Sequence, residues 1–203
     1  MSIKLTYFPG KGAAELTRYI LAYGGQDFED NRITGDIWAT LKPKTPLGSV
    51  PVVTLESGNE YSQSIAVARY FANKFGITGK TEEEKLHSDM IVDLMRIDIM
   101  PLFVKIYFQK DEETKKTMTE ECKAKTLTWL NKLESGLVKG EASFLESGFS
   151  WADIALFCLV NDQFPLIQMD LGSDFPKLTA IVDKVKSDPK IAAWIEKRPV
   201  TPM

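Results

Sequence analysis

The sequence predicts an α/β plus all-α protein, with a small sheet-bearing N-terminal domain over residues 1–77 and an all-helical C-terminal domain over 82–203. Three observations carry this expectation. Nine of the 13 glycines lie within the first 80 residues, where turns must be frequent. The same stretch holds the short alternating and β-branched runs that suit strands. Beyond it, apolar residues recur at helical spacing almost throughout. The change falls near Gly76 to Thr81, which reads as the junction.

Ile3 to Phe8 alternates like a strand and stops at Pro9-Gly10. Ala13, Leu16 and Ile20 mark one face of a helix that ends at Gly24-Gly25. A short strand follows around Phe28 to Ile33, then a brief helix from Asp36 to Leu41, closed by Pro43 and Pro46. Val50 to Leu55 is a β-branched, apolar strand, and Ser57-Gly58-Asn59-Glu60 supplies a hairpin turn to a short partner. The last helix of this domain begins near Gln63 and buries Val67, Phe71 and Phe75 at i, i+4 and i+8.

In the second domain Leu86, Met90, Leu94 and Ile97 form a helical stripe, and Pro101 should kink or break that helix. Leu130, Leu133 and Leu137 mark another helix. Ile154 to Val160 is apolar on all sides and reads as the central buried helix. Ser150-Trp151-Ala152-Asp153 just before it is a capping box, a helix start with no catalytic role.

Composition narrows the function. Lys and Arg number 25 against 28 Asp and Glu, a formal charge of −3, and the basic residues are interspersed with acids as in Lys110 to Lys116. That pattern offers no basic patch for nucleic acid. No apolar run approaches the roughly 20 residues of a membrane span, and the N-terminus lacks the apolar core of a signal peptide. Two distant cysteines, Cys122 and Cys158, suit a reducing compartment, so a cytoplasmic location is expected. His87 is the only histidine, which leaves little for a zinc cluster or a Ser-His-Asp triad, and no metal is expected.

The order βαβ, short helix, ββα, with a proline opening the third strand, is the thioredoxin-like plan. A redox protein of that plan carries Cys-x-x-Cys at the end of its first strand. Here Tyr7 stands at that end and no cysteine precedes residue 122. If thiol chemistry occurs, the sulfur comes from a ligand.

At this point a family resemblance becomes legible. Tyr7-Phe8-Pro9 followed by Gly12, Glu15 and Arg18 resembles the opening of a cytosolic glutathione transferase. Pro46-Leu47-Gly48-Ser49-Val50-Pro51-Val52 resembles that family's loop into a cis-proline strand, Gln63-Ser64-Ile65-Ala66 its glutathione-binding helix start, and Ser150 to Asp153 its buried helix start. The C-terminal Lys197-Arg198-Pro199 also fits. The resemblance spans nearly the whole chain and is strongest to the sigma class, in its arthropod branch.

The resemblance implies that glutathione is the co-substrate and that the Tyr7 hydroxyl stabilises its thiolate. A free thiol ionises near pH 8.5, so lowering that value by about two units takes roughly 2.7 kcal/mol of differential stabilisation. One charge-assisted hydrogen bond with nearby backbone dipoles is of that size. By the same resemblance Ser64 and Gln63 receive the γ-glutamyl carboxylate at a helix start, where free amides attract anions; Ser64 also suits an ordinary N-cap, and the two roles can coexist. Val50, before Pro51, pairs its backbone with the cysteinyl unit like an added strand, with Ser49 and Phe8 beside it. Trp38 and Lys42, at i and i+4, hold the glycine carboxylate, although either alone suits a surface position.

A hydrophobic electrophile is expected against Phe8, Arg96, Ile99, Met100, Phe103 and Tyr107, although apolar residues at helical spacing are more often core than pocket. The implied reaction is conjugation of the thiolate to such electrophiles, with peroxidase activity toward lipid hydroperoxides and a detoxifying role; the implied assembly is a homodimer. The alternatives are a weakly catalytic ligand-binding or structural relative and a glutathione-dependent prostaglandin isomerase. The chain departs from the family pattern at Ala13, where an arginine is usual, at Ser49, and at Ile97, where an acidic residue reaches the partner's glutathione. Arg96 and Ile97 also replace a stretch that binds divalent metal in a vertebrate prostaglandin isomerase of the sigma class.

Overall fold

A computed structural model describes residues 2–201. The chain divides into two compact units, one running to Phe75 and including the residues from Asp188 onward, the other Gly76–Ser187. The division at the C-terminal end differs from the 82–203 boundary expected from the sequence, because the last helix packs with the sheet.

The first unit holds a four-stranded sheet of order β2-β1-β3-β4. Strand β1 (Ile3–Tyr7) is parallel to β2 (Phe28–Arg32) and antiparallel to β3 (Val52–Thr54), which pairs antiparallel with β4 (Glu60–Ser62). Alternation in β1 buries Ile3 and Leu5 on one face, as period two requires. Helix α1 (Glu15–Tyr23) is buried along most of its length, and α3 (Ser64–Lys74) buries Val67, Ala68, Phe71 and Ala72. Phe75, expected within the buried face, caps α3 and stacks on Phe71 with ring centroids 6.3 Å apart. Helix α2 (Gly35–Leu41) buries none of its residues.

Helix α9 (Pro189–Lys197) completes this unit. Asp188 caps it by accepting the Lys190 and Ile191 amides, and Pro189 suits the first turn, where no N–H is needed. Its Trp194 lies 5.4 Å from Phe28, ring to ring, which is why the segment belongs with the sheet.

The second unit is helical: α4 (Glu82–Asp93), α5 (Met100–Phe108), α6 (Glu112–Lys132), α7 (Trp151–Asp162) and α8 (Pro176–Lys186), with shorter turns between. Every residue of α7 from Trp151 to Leu159 is buried. The interruption expected at Pro101 takes the form of a π-helical turn, Leu94–Ile99, after which α5 starts with the proline in its first turn. A second π-helical turn, Leu133–Leu137, ends α6.

The helical stripe of Leu86, Met90, Leu94 and Ile97 faces outward. Leu86 is 70% exposed, Met90 47% and Ile97 55%, while Ser88, Ile91, Val92, Met95 and Ile99 face the core. The segment carries two apolar faces at helical spacing, and periodicity cannot say which one the chain itself covers. Both cysteines are buried and unbridged. His87 has a structural contact, its Nε2 lying 2.9 Å from the Leu137 carbonyl. Among the described residues no helix is long and apolar enough to cross a membrane.

Candidate active site

Sheet register gathers the expected residues at one end of the sheet. Thr6 pairs with Val52, and Val52 with Ser62. Tyr7, Pro51 and Gln63 therefore each stand one residue beyond the same row. Tyr7 also pairs with Arg32, and the Ile33 amide donates to the Tyr7 carbonyl at 2.9 Å, so β2 delivers α2 to the same end.

The Tyr7 side chain is half-buried and its hydroxyl accepts the Ala13 amide at 3.1 Å. Gly12 makes this approach possible. It has φ +42°, and a Cβ there would fall 2.5 Å from the Tyr7 oxygen. Phe8 stands edge-on to Tyr7 at 5.9 Å and edge-on to Trp38 at 5.9 Å, a run of three rings in favourable T-shaped geometry. Lys42 is exposed at the end of α2, where its amide donates to the Trp38 carbonyl.

The Val50–Pro51 peptide is cis. Ser49 and Val50 are half-exposed and Pro51 is buried. The ladder between β1 and β3 ends at Thr6–Val52, so the Val50 backbone lies beyond it. Gln63 occupies the N-cap position of α3 with φ 75° and ψ 103°, a conformation that costs a non-glycine residue on the order of 1–3 kcal/mol. Ser64 is the first helical residue of α3, one position after the cap. Strain of this kind collects at ligand clamps.

Beneath Tyr7 lies a buried charge cluster, of which the sequence motifs held only Glu15, Arg18 and Arg198. Arg18, with no exposed side-chain surface, reaches the Asp30 carboxylate through Nε at 2.9 Å and the Glu15 carboxylate through Nη1 at 2.9 Å. The same Nη1 donates to the Gly10 and Lys11 carbonyls at 2.8 and 3.2 Å. Its guanidinium carbon is 5.8 Å from the Tyr7 ring centroid. Arg32 shares Asp30 at 2.7 Å, and Arg198 and Trp194 Nε1 donate to Glu15 at 2.7 and 2.9 Å. The signal available in the sequence was the Glu15–Arg18 spacing of i, i+3 beside an uncommon Gly-Ala-Ala turn.

The residues expected to meet an electrophile divide. Ile99 and Phe103 have no exposed surface and Met100 is 6% exposed; Phe103 stacks on Phe164 at 6.2 Å. These three are core of the helical unit in this chain, so they can shape a lining but not form its surface. Arg96 is half-buried, with Nη1 4.0 Å from Cys158 Sγ, and Tyr107 is 39% exposed. Among the described residues no group of three or more His, Cys, Asp and Glu side chains is arranged to hold a metal ion.

Comparison with known proteins adds to this geometry. Residues 97–198 match the family described as glutathione S-transferase, C-terminal domain. Glutathione S-transferase S1 of Drosophila melanogaster is 35% identical over 200 residues, covering 98% of this chain and 80% of that protein. The chain belongs to the glutathione S-transferase family. Another family relative, hematopoietic prostaglandin D synthase of Gallus gallus, is 35% identical over 198 residues, covering 98% of this chain and 97% of its own. The solved sigma class glutathione transferase of Fasciola hepatica superposes with a TM-score of 0.87 at 28% identity, covering 100% of this chain and 99% of that one.

Proposed function

We propose that the protein is a sigma-class glutathione transferase in which Tyr7 donates a hydrogen bond to the glutathione sulfur and favours its thiolate. The observation that carries this reading is the register row Thr6–Val52–Ser62, which sets Tyr7, the cis Val50–Pro51 peptide and the strained Gln63 side by side. Strands lie about 4.8 Å apart, so Tyr7 and Gln63 stand roughly 10 Å apart, the span of an extended tripeptide.

The ligand then lies across the sheet end. Ser64 and Gln63 take the γ-glutamyl carboxylate at the α3 N-terminus, and the Val50 backbone, with Ser49 beside it, pairs with the cysteinyl unit. Trp38 and Lys42 take the glycine carboxylate. The thiolate attacks hydrophobic electrophiles or reduces lipid hydroperoxides, in keeping with a detoxifying role. In the helical unit Arg96 and Tyr107 are the residues with surface to offer an electrophile, backed by Ile99, Met100 and Phe103. The protein works in the cytoplasm as a homodimer, and the exposed Leu86, Met90 and Ile97 supply an apolar face of the kind that subunits cover.

The test is Tyr7→Phe. Conjugation of glutathione to an aryl halide should fall about 10²-fold at pH 6.5 while glutathione still binds, the scale of losing one strong donor to a developing anion. Unchanged turnover with intact binding would refute the thiolate role.

The relative named hematopoietic prostaglandin D synthase matches this chain as well as the named transferase does, which favours a second reading, a glutathione-dependent isomerase of prostaglandin endoperoxides. Turnover of an endoperoxide substrate, with and without magnesium, separates the two readings.

A further inference from the structure

We propose that Arg18 is a positioning residue for this reaction: it clamps the loop after β1 so that the Ala13 amide occupies a lone pair of the Tyr7 hydroxyl and leaves its proton for the ligand sulfur. The proposal rests on Tyr7 acting as the donor to that sulfur.

A phenol oxygen carries one proton and two lone pairs. The Ala13 amide takes one lone pair at 3.1 Å. Ala13 has no polar side chain, so its contribution to Tyr7 is this backbone donor. A donor received by the oxygen polarises the O–H bond and strengthens the bond it donates in turn. The Arg18 charge, 5.8 Å from the ring centroid, favours the electron density that builds on the phenol as it donates.

What aims the Ala13 amide is the loop, and what holds the loop is Arg18. Nη1 binds the Gly10 and Lys11 carbonyls, three and two residues before Ala13. Gly12, at φ +42°, brings the next peptide against the hydroxyl. Arg18 is itself fixed by two buried carboxylates, Asp30 on Nε and Glu15 on Nη1. Glu15 is held on its other oxygen by Arg198 and Trp194 at the C-terminal end of the chain. Charge-assisted hydrogen bonds therefore run from Trp194 of α9 through Glu15 and Arg18 to the Gly10 and Lys11 carbonyls, and the Gly12 backbone carries that restraint to the neutral Ala13–Tyr7 hydrogen bond. Only a planar fork reaches these acceptors together, because an ammonium is a point donor on a flexible stem.

The deciding measurement is the ionisation of enzyme-bound glutathione, followed by the ultraviolet difference absorption of its thiolate against pH. The pH profile of kcat/KM toward an aryl halide accompanies it. In Arg18→Lys the apparent pKa of the bound thiol should rise by about one unit, a tenfold loss of kcat/KM at acidic pH. The glutathione KM and the plateau at high pH should change little. In a Tyr7→Phe background the same substitution should add no further shift.

A folded Arg18→Lys protein with the bound thiol pKa unchanged overturns the proposal, and so does a shift that persists in full without the Tyr7 hydroxyl. An unchanged pKa in Tyr7→Phe alone instead overturns the thiolate role of Tyr7. If Arg18→Lys does not fold, Gly12→Ala decides by the same readout: a raised pKa supports the positioning of the hydroxyl, and an unaltered one refutes it.

Discussion

The Ser143 hydroxyl lies 2.8 Å from Asp153 Oδ2 and 2.6 Å from the Gly148 carbonyl, so one proton faces two acceptors. Ser143 Oγ also accepts the Leu145 amide at 3.2 Å, so one hydroxyl ties the Asp153 carboxyl to the loop backbone on both sides. Asp153 also accepts the Phe144 and Ser150 amides, at 2.8 and 2.7 Å. This carboxyl closes the loop before α7 onto the helix start. Asp153→Ala leaves those donors facing a void, and should cost about 3 kcal/mol in urea unfolding. A cost below roughly 1 kcal/mol would mean that water replaces the carboxyl without penalty.

Burial pushes Asp153 up to about 6 from 3.8, against the hydrogen bonds from Phe144, Ser143 and Ser150 that pull it down. The native state then holds this proton more tightly than the unfolded chain does. Stability from this group is full below about pH 4 and declines as pH rises toward 6, by on the order of 2 kcal/mol. Asp153→Asn removes the titration, so the stability difference between wild type and variant should be largest near pH 4 and smaller at pH 7. A difference that grows with pH would reverse the assignment.

Glu84 shows the opposite sign. Amides of Lys80 and Ser147 donate to its carboxylate and hold it down at about 2, from 4.5. Its contribution is present above pH 4.5 and is lost as pH falls toward 2. Solvent screening keeps the effect below about 1 kcal/mol. Glu84→Gln should flatten the acid limb of the stability curve between pH 4.5 and 2, as read from thermal midpoints.

Gly24 has ordinary helical angles, yet any Cβ there would overlap the Phe75 ring. Gly24→Ala should therefore destabilise by about 1–3 kcal/mol through overpacking, although alanine favours helix. Adding Phe75→Leu should recover part of that loss in a double-mutant cycle.

Gln63 combines a strained backbone with a place at the proposed ligand end. Gln63→Gly should raise thermal stability, by up to about 1 kcal/mol, while raising the KM for glutathione. A variant that gains stability with no change in KM would separate the strain from binding.

The apolar stripe of Leu86, Met90 and Ile97 predicts self-association. Leu86→Glu with Met90→Glu should halve the mass seen by light scattering and leave the helical circular dichroism intact. A monomeric wild type would remove the stripe from any subunit interface.

The residues that meet at the end of the sheet were legible because each lies in a local pattern. Tyr7 ends an alternating run, Pro51 opens a β-branched one, and Gln63-Ser64 starts an amphipathic helix, each visible within a few residues. The Ser150–Asp153 box was equally local, and the structure adds Ser143 and Phe144 to it. The outward stripe on α4, the π turn before Pro101 and the core positions of Ile99 and Phe103 were not legible, since periodicity reports a face and not what covers it.

The sequence by itself determined the element order, the change from sheet to helix and the presence of a tyrosine where a redox protein would have a thiol. Those follow from side-chain period, turn chemistry and residue type, which act over short separations. Only the tertiary structure decided that Arg198 and Trp194 sit on Glu15, and that Glu15 and Asp30 aim Arg18 at the loop beside Tyr7. Buried charges must find partners wherever folding brings them, and partners more than 180 residues apart in sequence, as Glu15 and Arg198 are, leave no periodic trace.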